Sequence, residues 1–64
     1  MMEMNFYVDE KDLRRTKEVI RSLDSLRFKG NPLDIGRGRY LVSISGEVLD
    51  MNQLNKYLSG IQAK

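Results

Sequence analysis

The chain has no cysteine, no histidine, no tryptophan and only one proline in its 64 residues. Without cysteine there is no disulfide, and without cysteine or histidine there is no zinc site of ordinary type. Losing histidine also removes the commonest general acid–base group. No apolar run approaches the roughly 20 residues that span a bilayer. The start, Met1-Met2-Glu3-Met4-Asn5-Phe6, has neither a basic segment nor a long apolar one, so it does not read as a signal peptide. A cytoplasmic protein without a membrane partner is expected. A core built from so short a chain supplies roughly 3–5 kcal/mol unless something staples it. With disulfide and zinc excluded, oligomerisation is the staple left, and a homodimer is expected.

What is present is ordinary for one folded domain over residues 1–64: 41% hydrophobic and 31% charged residues, with a net charge of +2. Non-specific nucleic-acid binders carry a stronger basic bias.

Met2, Met4, Phe6 and Val8 alternate with Glu3, Asn5 and Tyr7, the period of a strand with one face on a core. Asp9 is placed to cap a helix, with Asp12 in its first turn. Leu13, Thr16, Val19, Ile20, Leu23 and Leu26 then fall on one helical arc, which predicts a helix running to about Leu26. Gly30-Asn31-Pro32 ends anything helical. Leu33-Asp34-Ile35, with a start as early as Phe28, and Tyr40–Ser45 flank Gly36-Arg37-Gly38-Arg39 and read as a hairpin. Tyr40, Val42 and Ile44 are expected to face the core. Asp50 is a candidate second N-cap with Gln53 in the capping-box position. Met51, Leu54, Tyr57, Leu58 and Ile61 form the second helical stripe, Gly60 is its expected end, and Gln62-Ala63-Lys64 reads as a frayed tail.

The apolar pattern also repeats at a shift of 38 positions. Met4 and Phe6 fall on Val42 and Ile44, Asp12 on Asp50, and Leu13, Thr16, Val19, Ile20 and Leu23 on Met51, Leu54, Tyr57, Leu58 and Ile61. The chain is thus two strand–helix units joined by a further strand. The expected class is α+β, a βαββα chain with a three-stranded sheet in the order 1-3-2 and two helices on one face. That arrangement resembles a ferredoxin-like domain lacking its last strand. The resemblance is to a superfold of many functions and carries no activity, cofactor or site with it. Right-handed crossover predicts that Tyr40–Ser45 lies parallel to the first strand and beside it. The first strand then forms an open edge.

No catalytic constellation emerges. Ser22, Ser25 and Ser59 read as residues of polar helix faces and Ser43 and Ser45 as strand residues, none beside a base. Asp9, Glu10 and Asp12 lack the spacing of a calcium loop and suit a helix start. Gly36-x-Gly38 lacks the remainder of either nucleotide fingerprint and suits a hairpin tip. Lys11, Arg14, Lys17 and Arg21 share a helix face with Glu10 and Glu18, as a solvated, ion-paired surface would. No cofactor, metal or enzymatic activity is expected.

Two functions remain. The first is a non-catalytic protein-interaction module, self-associating or binding a larger protein in the manner of a phage-type accessory protein. Its contact residues would be Glu3, Asn5, Tyr7, Leu41 and Ser43 on the first strand and the open sheet face. The second is anion or nucleic-acid binding by Arg37 and Arg39 of the hairpin with Arg27 and Lys29. A small-molecule regulatory module ranks third, on fold analogy alone.

Overall fold

The computed structural model describes residues 1–62. The chain runs β1 (Met2–Asp9), α1 (Glu10–Ser22), β2 (Arg27–Phe28), β3 (Leu33–Gly36), β4 (Arg39–Gly46) and α2 (Val48–Gln62). It is an α+β protein: two helices and an open four-stranded antiparallel sheet. β4 is central. β1 pairs along one side of it, and β2 and β3 pair with successive stretches of the other. Among the described residues, no helix is long and apolar enough to cross a membrane.

Alternation along the strands makes the core. Phe6 and Val8 of β1 and Val42 and Ile44 of β4 are buried on the same face as Ile20 of α1, Leu26, and Met51, Leu54 and Leu58 of α2. Met4, Leu13, Val19, Leu23, Phe28, Tyr40, Tyr57 and Ile61 pack around them half-buried. Both helices therefore cover one face of the sheet, as their stripes require.

Several expectations need correction. β1 and β4 are antiparallel, with Met2 opposite Gly46 and Val8 opposite Tyr40. The right-handed crossover rule governs strands joined through a helix. Here α1 delivers the chain to β2 and β3, which run in the same direction as β1, and the hairpin then turns β4 back between them. The sheet has four strands instead of three, because Gly30-Asn31-Pro32 splits the run from Arg27 to Gly36 into two short ones. α1 ends at Ser22 instead of near Leu26, with Leu23 as its C-cap. Leu26 stays buried, carried there by the connection to β2. α2 begins at Val48 and continues through Gly60 to Gln62. Asp50 is consequently a first-turn residue. Glu47 is the cap, its carbonyl accepting the Met51 N–H at 2.9 Å. Of the expected tail, Ala63 and Lys64 lie outside the described residues.

Candidate functional site

The unhelical side of the sheet is a grid whose rows are set by strand register. Glu3 lies opposite Ser45 and Ser45 opposite Arg27. Asn5 lies opposite Ser43, whose carbonyl accepts the Lys29 N–H at 2.8 Å. Tyr7 lies opposite Leu41, and Leu41 opposite Leu33. Asp9 lies opposite Arg39, at the hairpin end. Glu3, Asn5, Tyr7, Leu41 and Ser43 thus share one face, because odd-numbered positions of β1 and β4 point the same way.

One of these rows is apolar. Tyr7 is 54% exposed, Leu33 59% exposed and Leu41 half-buried, and the three run side by side across the sheet. Leu33 was not among the residues singled out from the sequence. Its position follows from hairpin register, and that depends on tip geometry. Gly36, Arg37 and Gly38 all adopt positive φ, at 89°, 57° and 71°, and Asp34 accepts the Gly36 N–H through Oδ1 at 2.8 Å. A register shift sits between Asp34 and Gly36. Without knowing that irregularity, a reader of the sequence has no way to count from Leu41 across to Leu33.

The outer edge of β1 has a defined backbone orientation. Glu10 donates to the Gly38 carbonyl at 2.7 Å, directly beyond the Asp9–Arg39 pair. Hydrogen-bonded pairs alternate along an antiparallel ladder, so Val8, Phe6 and Met4 exchange bonds with β4. Glu3, Asn5 and Tyr7 then direct their N–H and C=O groups away from it. The Lys29–Ser43 bond confirms this phase on the other side of β4, where odd positions serve β2. No register shift interrupts β1.

The four basic residues proposed for anion binding do not converge on a free cationic patch. Lys29 pairs with Glu3 across β4. Arg39 approaches Asp9, Nε to Oδ1, at 3.6 Å. Arg27 donates through Nη1 to the carbonyls of Asp24 and Leu26, at 2.6 and 2.8 Å. Arg37 stands on the turn. On α1, Arg14 pairs with Glu18 at 3.8 Å on an open surface, where such a pair contributes little.

Ser25 was expected on a helix face away from any base. It lies in the connection after α1, and its Oγ donates to Asp50 Oδ2 at 2.6 Å. The Ser25 amide donates to the same oxygen at 3.0 Å, and Ser25 Oγ accepts the Glu47 N–H at 3.0 Å. The Ser25 hydroxyl and then its amide hold the Asp50 carboxyl below the ordinary carboxylate range, against a small desolvation. A carboxylate so stabilised is a weaker base, and the hydroxyl is engaged as both donor and acceptor. The cluster is a latch joining the start of α2 to the α1–β2 connection, and its geometry does not suit nucleophilic chemistry.

At the far end of β1 an open groove of about 670 Å³ is lined by Tyr7, Asp9, Lys11, Asp12, Arg15 and Arg39, among others. Its charges are of both signs. Among the described residues, no three His, Cys, Asp or Glu side chains gather as metal ligands would. No family model matches the chain, and neither a curated protein nor a solved structure matches it significantly.

Proposed function

We propose that this protein is a non-catalytic interaction module that takes an extended segment of a partner protein onto the outer edge of β1. The observation carrying this reading is the phase of β1. It is an eight-residue edge strand without proline or bulge, directing the backbone donors and acceptors of Glu3 and Asn5 outward. Natural proteins blunt such edges with proline, bulges or repeated charge. An unblunted one is the substrate of β-strand addition, in which backbone bonds supply affinity and alternate side chains supply specificity.

In the ferredoxin-like plan a further strand pairs with the first, and an added strand would take that place. Pairing of Lys29 and Arg39 with acidic neighbours weighs against the anion-binding alternative, since each phosphate contact would have to displace a carboxylate.

The test is selection of extended peptides against the folded protein, followed by amide exchange. Bound peptide is expected to protect the Glu3 and Asn5 amides. Asn5→Pro is expected to abolish binding while leaving the fold intact, because that N–H makes no bond to β4. Undiminished binding by Asn5→Pro, or protection confined to other elements, refutes the reading.

A further inference from the structure

The β1 edge accounts for only one margin of the sheet. The exposed grid behind it is a second surface, and its pattern is self-complementary. We infer that the open sheet face binds a second copy of this chain, face to face, about a two-fold axis running along β4. This names a partner for the open face and rests on the reading of the protein as an interaction module. It leaves the β1 edge of each copy open to another protein.

The charge distribution selects the axis. On this face the acidic side chains stand on β1, at Glu3 and Asp9, and basic ones on or beside β2, at Arg27 and Lys29. A two-fold axis along β4 lays the β1 margin of one copy over the β2–β3 margin of the other. Glu3 then approaches Arg27 of the second copy, and Asn5 approaches its Lys29. An axis across the strands would instead put β1 over β1, acid against acid. Glu3 and Lys29 already pair across β4 within each chain, so charge favours this axis mainly by keeping acid away from acid and adds little attraction of its own.

The apolar row fits the same axis. Tyr7, Leu41 and Leu33 occupy one level of the grid with Leu41 in the middle. Rotation about β4 sets Tyr7 on Leu33 of the second copy, Leu41 on Leu41, and Leu33 on Tyr7. Aligned sheets pack about 10 Å apart and cross at about 30°, so contact is closest near the pivot at Leu41 and opens toward the ends. Arg39 lies on β4 near the axis, but its guanidinium turns toward Asp9. Below the apolar row the face is Asn5, Ser43 and Ser45, which favours a wet interface with bridging water.

Sedimentation of the purified chain up to millimolar concentration tests this, with circular dichroism as the check on folding. The wild-type chain is expected to reach the mass of a dimer. Leu41→Lys sets like charges against each other at the axis and is expected to weaken dimerisation roughly thirtyfold or more while the chain stays folded. Mixing isotope-labelled and unlabelled chains is expected to give an intermolecular nuclear Overhauser effect between the Tyr7 ring and the Leu33 methyls. Within one chain β4 separates those two side chains.

A wild-type chain that stays monomeric overturns the inference but leaves the peptide-binding test of the β1 edge standing. A dimer kept undiminished in Leu41→Lys also overturns it, by placing the contact somewhere other than this face. A dimer without the Tyr7–Leu33 effect overturns it as well.

Discussion

The two strand–helix units, β1–α1 and β4–α2, follow one pattern at a shift of 38 residues but hold different positions in the sheet. Shifted, β1 and α1 would cover residues 40–47 and 48–60; β4 and α2 cover Arg39–Gly46 and Val48–Gln62. Buried positions correspond as well. Thr16 and Leu54 are both fully buried, Ile20 matches Leu58, and Phe6 matches Ile44. The difference lies in the neighbours. β4 is bonded on both sides, β1 on one. The same local pattern therefore produces the central strand of the sheet in one unit and an edge strand in the other.

The buried pair Thr16 and Leu54 offers the most severe way to break the correspondence. Leu54 is the central apolar contact of α2, whereas Thr16 carries a hydroxyl that donates to the Asp12 carbonyl at 2.8 Å. Leu54→Ala is expected to cost about 2–5 kcal/mol, comparable to the whole stability of so small a core. Urea titration followed by circular dichroism should find the variant largely unfolded without denaturant. A folded variant with an unchanged midpoint would show that α2 is dispensable to the core.

Gly46 is the counterpart of Val8 and sharpens the comparison. A Cβ at Gly46 would lie 2.5 Å from Leu26 Cδ2 and 3.0 Å from the Ser25 carbonyl oxygen. The second unit must be narrow where the first carries a branched side chain, because the α1–β2 connection passes over it. Gly46→Ala is expected to destabilise by about 1–3 kcal/mol in the same titration.

Next in size comes the latch at the start of α2. The folded state holds the Asp50 carboxyl below its ordinary value through Ser25. A carboxyl with a lowered folded pKa stabilises the protein above its unfolded pKa, and that stability is lost as pH falls through the folded value. The loss is therefore confined to acid pH, below the ordinary Asp range. Ser25→Ala is expected to raise the Asp50 titration followed by NMR and to move the acid-unfolding midpoint upward. No change in either would remove the latch.

The smallest expected effect is a gain. Gly60 sits inside α2 with open space where a Cβ would be. Gly60→Ala should stabilise by roughly 0.5–1 kcal/mol, visible as a higher thermal midpoint. An unchanged midpoint would show that α2 frays before Gly60.

Much of the candidate site was legible in alternation alone. Once β1 and β4 are strands, Glu3, Asn5 and Tyr7 share a side, and so do Leu41 and Ser43, because successive strand side chains alternate. Leu33 was not legible, since its level depends on the irregular turn of Gly36, Arg37 and Gly38. Nor was the partnership of Ser25 with Asp50, which lie 25 residues apart and carry no local signal of each other. Capping rules favoured Asp50 as the cap of α2, and a contact across the fold made it a latch instead.

Periodicity by itself determined where the helices and the longer strands lie and which of their faces are apolar, because those depend on residues within a turn or a pleat of one another. Tertiary structure alone decided the strand directions, the division of Arg27–Gly36 into two strands, and the helix ends. Those depend on backbone partners and packing distant in sequence, which no local pattern encodes.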